Sequence, residues 1–151
     1  SDTISLAALT EEVFCDLDPV AEKHQVRLIQ TDGDCTVTGS YILLYRAVYN
    51  LVENAIKYNR PSGSVTVSIH TAESAVLEVT DTGIGISPEN QEKIFDPFYR
   101  VDKSRSRAMG GAGLGLALVS EIARQHNGQV KVTQSSEKGS TIALMLPVTL
   151  L

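Results

Sequence analysis

The sequence predicts an α/β fold, and three observations carry that expectation. Three stretches place apolar residues at intervals of three and four, the mark of helices with one buried face. Several shorter segments alternate apolar and polar residues at period two, as half-buried strands do. The length, 151 residues, fits one domain with a core of its own.

The elements follow in order. Across residues 4–24, Leu6, Leu9, Val13, Phe14 and Leu17 recur at helical spacing, and Pro19 predicts a break or restart. Residues 26–30 and 35–38 read as two short strands forming a hairpin around the turn Asp32-Gly33. Ser40 is the expected cap of a long helix that ends near Asn59-Arg60-Pro61. Residues 64–70 and 75–80 alternate at period two and are expected to be neighbouring strands of a sheet beside that helix. From 81 to 113 the pattern loosens into a loop rich in Gly, Pro and charge, with one turn of helix over 88–95. Loops this long inside compact domains are lids or binding loops. Residues 114–126 are again helical, stopped by Asn127-Gly128, and 129–134 and 140–148 close the chain as strands.

Composition narrows the function. Hydrophobic residues make up 42% and charged residues 21%, ordinary values for a globular domain. A net charge of −5 argues against a nucleic-acid surface, which needs a concentrated basic patch. Basic residues do gather once, as Arg100, Lys103, Arg105 and Arg107 beside Asp102, and a cluster of that size suits a small anion. Cys15 and Cys35 form no C-x-x-C pair, which fits neither a zinc site nor a disulfide framework and points to a reduced, cytosolic setting. No apolar run approaches the roughly 20 residues that span a bilayer, so no direct membrane contact is expected. The first residue is Ser1 rather than Met, and the chain is expected to be a piece of something larger.

The most informative segment is Asn50-Leu-Val-Glu53-Asn54-Ala-Ile-Lys57-Tyr58. At about 100° per residue, Asn50, Glu53, Asn54 and Lys57 share one narrow arc, while Leu44, Val48, Leu51, Val52 and Ala55 form an apolar stripe opposite. Asn in mid-helix costs roughly 0.5 kcal/mol or more against Ala, so two of them one turn apart require a reason. Hard cations such as Mg²⁺ take oxygen ligands while sharing a substrate phosphate, and an amide pair can hold one without over-neutralising it. Asp81-Thr-Gly83-Ile-Gly85 follows a strand directly. That puts a carboxylate at the strand end, able to accept from an exocyclic amine such as adenine's, and glycines where a side chain would obstruct; an Asx-type turn is the alternative. Gly110-Gly111-Ala-Gly113-Leu-Gly115 leads into a helix N-terminus, where free N–H groups attract phosphate. It completes neither a P-loop nor a dinucleotide fingerprint.

Taken in order, these segments resemble the ATP-binding catalytic domain of bacterial sensor histidine kinases, in the family shared with gyrase B, Hsp90 and MutL. Residues 50–58 look like its N box, 81–85 its first glycine box, Phe95-Asp-Pro-Phe98-Tyr-Arg100 its F box, 111–116 its second glycine box and 139–141 its third. The F box and the G-x-G-L-G-L form of the second glycine box point to the histidine kinase branch. The resemblance implies a Bergerat-type ATP-binding fold, a two-layer α/β sandwich with a mixed sheet of about five strands under three helices. It makes 1–151 a single domain with an ATP lid near 96–112, and it puts the dimerisation and phosphoacceptor domain outside this chain.

Carried over position by position, the resemblance gives Asn50 and Asn54 as Mg²⁺ ligands and Asp81 as the partner of the adenine amine, supported by Thr141 through water. Gly83 and Gly85 would give the base clearance, Tyr58 would flank it, and Lys57 would reach the phosphates. Gly113 and Gly115 would hold the phosphate tail, with Gly111, Leu114, Leu116, Ile86 and Phe98 completing the nucleotide-binding set. Phe95 and Phe98 would anchor the lid. Arg100 is the candidate for the terminal phosphate, and Glu53 for accepting a proton from the nucleophile or orienting it. Ala112 falls where the family often has Thr or Ser, which leaves the backbone cradle intact. The cofactors implied are ATP and Mg²⁺. The partners implied are a helical phosphoacceptor domain of the same protein and, through it, a response regulator. The parent would sit in a bacterial inner or plasma membrane with this domain in the cytoplasm. His24, His70 and His126 lack the surroundings of a phosphoacceptor, so the chain is expected to bind Mg-ATP without phosphorylating itself. Two other readings stay open: an ATPase driving conformational change, and a non-catalytic nucleotide sensor or anti-sigma-like module, against which Glu53 stands.

Overall fold

The computed structural model describes residues 1–97, 99 and 115–149. Strand β1 (Asp2–Ser5) leads into helix α1 (Leu6–Lys23), followed by β2 (Arg27–Gln30), β3 (Thr36–Gly39) and helix α2 (Tyr41–Lys57). Then come β4 (Ser64–Thr71) and β5 (Ala75–Asp81), two 3₁₀ turns over Pro88–Asn90 and Lys93–Phe95, helix α3 (Gly115–Gln125), β6 (Gln129–Ser136) and β7 (Gly139–Leu146). The main sheet has the order β2-β4-β5-β7-β6. Its β2–β4 pair is parallel and the other three pairs are antiparallel, so the sheet is mixed. Val65, Val67 and Ile69 of β4, Leu77 and Val79 of β5, and Ile142, Leu144 and Leu146 of β7 are buried under the helices. The interleaved Thr66, Ser68, His70 and Thr80 face away from that layer. Among the described residues the result is a two-layer α/β sandwich, a mixed sheet of five strands under three helices, as the resemblance implied.

Helix α2 owes its place to its apolar stripe. Leu44, Ala47, Val48, Leu51, Val52, Ala55 and Ile56 are all buried, and each large one stabilises the fold by roughly 1.5–3 kcal/mol. Ser40 caps the helix as expected, its hydroxyl accepting from the Leu43 N–H at 3.2 Å. Tyr41 and Tyr45 tie α2 to α1 by donating to Glu12 and Asp16. The bond to the Glu12 carboxylate, with burial, pushes the Tyr41 hydroxyl up to about 12. Helix α3 ends in a Schellman motif: the Gly128 N–H bonds to the Ala123 carbonyl at 2.8 Å and that of Asn127 to Arg124 at 3.0 Å. Asn127 takes the left-handed conformation at φ 59°.

Three expectations need correcting. Residues 26–30 and 35–38 do not form a hairpin: β2 pairs in parallel with β4, and β3 pairs antiparallel with β1 in a separate two-stranded sheet. The intervening segment serves another purpose. Asp34 accepts from the N–H groups of Ala7 (2.9 Å) and Cys35 (2.7 Å) and from the Ser5 hydroxyl (2.7 Å), so it satisfies the start of α1. The first residues, 2–5, form β1 rather than the start of α1, with Ile4 opposite Val37 and both buried. Pro19 lies inside a continuous α1 without breaking it; both Pro19 and Cys15, whose carbonyl loses a partner there, are on the exposed face where water can serve.

Candidate nucleotide site

The polar arc of α2 forms the floor. Asn50, Glu53, Asn54 and Lys57 are all half-buried, beside the fully buried stripe that fixes their direction. The Asn50 amide donates from Nδ2 to the Gly115 carbonyl at 3.3 Å, joining the floor to the first residue of α3. With Nδ2 committed there, Oδ1 is the atom left to serve a cation. Lys57 Nζ lies 3.9 Å from Glu53 Oε1, one turn away. An i,i+4 pair of this kind is worth only about 0.3–0.5 kcal/mol, so either group can turn to a ligand at small cost. Among the described residues no group of three His, Cys, Asp or Glu could hold a metal by itself. What the floor offers a cation is amide oxygen, a ligand type that hard cations such as Mg²⁺ accept.

Asp81 closes β5 at the other end. Its Oδ1 accepts from the N–H groups of Gly83 (2.9 Å) and Ser140 (3.2 Å), and Oδ2 from the Ser140 hydroxyl (3.1 Å). Burial pushes the carboxyl above its ordinary range, against the opposing pull of those three donors. Two carboxylate oxygens offer about four acceptor positions, so one more donor, such as an exocyclic amine, can be met.

Two glycines let the loop after Asp81 lie against its neighbours. A Cβ at Gly83 would collide with the Tyr58 carbonyl oxygen at the end of α2, and one at Gly85, where φ is +78°, with the Ser136 carbonyl. Both glycines thus seat the loop between α2 and the β6–β7 hairpin. Ile86 is held there by its N–H, which donates to the Ser135 hydroxyl at 2.6 Å. Leu116, on the first turn of α3, packs on the core.

Most of the expected set therefore converges. Asn50, Glu53, Asn54 and Lys57 lie on α2 and Tyr58 caps its end, where Gly83 touches it; Gly115 meets Asn50, and Asp81, Gly85 and Ile86 belong to the strand end and loop that Gly83 seats. Thr141 is the exception. Its hydroxyl lies 2.9 Å from that of Thr80 across the β5–β7 ladder, on the sheet face opposite Asp81. The residue that meets the carboxylate is Ser140, directly across from Asp81. Period-two alternation would have separated the two, had the register been known. Phe98, Arg100, Gly111, Gly113 and Leu114 lie outside the described residues, as does the expected lid apart from residues 96, 97 and 99. Sequence reading also missed Asn59 and Thr82, whose side chains bond at 2.9 Å behind the loop. The histidines have local roles: His24 Nδ1 lies 2.9 Å from the Val20 carbonyl, His126 Nε2 accepts from the Ser40 N–H at 3.1 Å, and His70 faces Glu78 at 3.7 Å.

Known proteins resemble this chain in sequence and in fold. Residues 39–150 match the family described as histidine kinase-, DNA gyrase B-, and HSP90-like ATPase. The sensor-like histidine kinase SenX3 of Mycobacterium tuberculosis is 46% identical over 123 residues, covering 79% of this chain and 30% of its own length. This chain thus spans about a third of that relative. The structure of the mycobacterial sensor histidine kinase MprB superposes with a TM-score of 0.82 at 27% identity, over 99% of both chains. Full-length ShkA in complex with AMPPNP shares the fold, with a TM-score of 0.85 at 23% identity over 99% of this chain and 31% of that one. On sequence and fold together, the chain belongs to the histidine kinase-, DNA gyrase B- and HSP90-like ATPase family, among the ATP-binding domains of sensor histidine kinases.

Proposed function

We propose that this domain binds Mg-ATP across α2 and the end of β5 and donates the γ-phosphoryl group to a histidine on a separate helical dimerisation domain, in two-component signalling. The observation that carries the reading is that the start of α3 and the loop after β5 both meet α2: the Gly115 carbonyl accepts from the Asn50 amide, and Gly83, whose N–H donates to Asp81, lies against the end of the helix. The ShkA complex supports it, since the bound AMPPNP there is an adenine nucleotide on the same fold.

In this reading Asp81 accepts from the adenine amine, with Ser140 in the supporting place first expected of Thr141. Tyr58 flanks the base, and Asn50 and Asn54 turn their amide oxygens to Mg²⁺. The ion, when bound, neutralises charge on the phosphate oxygens. Lys57 leaves its weak pair with Glu53 to reach the phosphates. Glu53 is then free to orient the attacking imidazole or take its proton. Arg100 contacts the terminal phosphate, and the backbone over 111–116 holds the phosphate tail. The acceptor domain, a response regulator beyond it and a membrane-held parent complete the proposed system; ThkA is one histidine kinase with a structure in complex with a response regulator.

Incubating the folded chain with γ-labelled ATP and Mg²⁺, with and without a purified histidine-bearing helical domain of the parent, tests this. Acid-labile phosphate is expected on the added domain and none on the chain. Label on the isolated chain, or release of free phosphate with no label on the acceptor, would contradict it.

A further inference from the structure

We infer that Asn59 and Thr82 are positioning residues, whose hydrogen bond fixes the span between the carboxylate that meets the base and the amide face that meets the phosphates. The inference rests on the nucleotide reading above and adds to it how the two ends of the site are held in register. Asn59 stands two residues past the end of α2 and is only 9% exposed. Its Oδ1 accepts from the Thr82 hydroxyl at 2.9 Å and the Arg60 N–H at 2.8 Å, and its Nδ2 donates to the Ser64 carbonyl at 2.9 Å. The Thr82 hydroxyl in turn accepts from the Ser64 N–H at 2.9 Å. A closed network thus links the end of α2, the start of β4 and the loop after β5.

Its location gives it a consequence. Thr82 sits between Asp81 and Gly83, so the residue whose neighbour meets the base is bonded to the residue just beyond Lys57 and Tyr58. Around it the packing leaves no slack: a Cβ at Gly63 would collide with Asn59 Oδ1, and one at Gly83 with the Tyr58 carbonyl. A ligand that engages both ends gains from their fixed separation, because binding one end presents the other at high effective concentration. A ligand that engages one end gains nothing from it.

The split between two probes tests this. Thr82→Val keeps the side-chain shape and removes both the donor to Asn59 and the acceptor of the Ser64 N–H. It is expected to weaken Mg-ATP about fivefold or more, as loss of one or two hydrogen bonds does, and to leave adenosine binding unchanged. Thr82→Ser restores the hydroxyl and should bind Mg-ATP as the unaltered chain does. Asn59→Ala, checked for folding by circular dichroism, should show the same split as Thr82→Val. Unchanged Mg-ATP affinity in folded Thr82→Val would overturn the inference, as would equal losses for adenosine and Mg-ATP, or a Thr82→Ser variant as weak as Thr82→Val. An unaltered chain that bound neither probe would instead defeat the nucleotide reading on which the inference stands.

Discussion

Asp81 has a carboxyl that burial pushes up and three donors hold in place. A carboxyl with a raised folded pKa takes up its proton more readily folded than unfolded, so stability falls as pH rises from its ordinary value of 3.8 through the raised one. At neutral pH the charge therefore costs stability, as is consistent with the role proposed for Asp81 in meeting the base. Asp81→Asn preserves the acceptor for Gly83 and Ser140 without the charge. Its melting temperature at pH 7 is expected to equal or exceed that of the unaltered chain, with the difference shrinking as pH falls toward 3.8; a variant that melts lower at pH 7 would contradict the account. Glu53 makes a complementary case. Glu53→Ala removes a weak ion pair, so nucleotide affinity should change little while phosphoryl transfer to an added acceptor domain falls by about 10²-fold or more; normal transfer would remove its role. Asn50 and Asn54 were legible in the sequence because Asn is costly in mid-helix, and Asp81 because it ends a strand just before two glycines. Ser140 was not, because choosing between adjacent hydroxyls needs the strand register. Nor were Asn59 and Thr82, whose partners are 23 positions apart.

The elements were legible where local signals and packing agree. Helix α2 has a cap, an apolar stripe and a clear end, and its observed bounds follow those signals. Helix α3 ends where Asn127-Gly128 said it would. The failures were short strands paired over distance: β1 has only four residues, and β2 and β3 sit either side of a turn signal yet find partners elsewhere. Between them Asp34 is used at the start of α1. Burial there opposes the charge, but hydrogen bonds from Ala7, Ser5, Cys35 and Leu6 hold its carboxyl below its ordinary value of 3.8. A depressed folded pKa gives stability that is present above 3.8 and lost as pH falls through the folded value. Asp34→Asn should thus lower the unfolding free energy at pH 7, and the deficit should disappear as the pH drops below 3.8. An equal deficit at both pH values, by urea denaturation, would show that charge is not the cause. Truncating the α2 stripe tests the layer itself: Leu51→Ala, at a site only 1% exposed, should cost about 2–5 kcal/mol in the same assay.

At the scale of the molecule, one sheet and one helix layer bring together segments that the sequence scatters from residue 50 to residue 140. Ordered motifs carried the family and the layer architecture, because their spacing survives without knowledge of pairing. They did not carry the contacts between motifs, which depend on how α2, the loop after β5 and the β6–β7 hairpin meet. The central claim concerns that meeting: a triphosphate with its cation lies on the amide face while the purine reaches Asp81. Calorimetric titration of the folded chain with ATP and with inosine triphosphate, each with and without Mg²⁺, measures it most directly. The account predicts Mg²⁺-dependent binding of ATP that exceeds binding of inosine triphosphate, which lacks the adenine amine, and loss of that preference in Asp81→Asn. No magnesium-dependent association with ATP, or a preference that survives in Asp81→Asn, would contradict it.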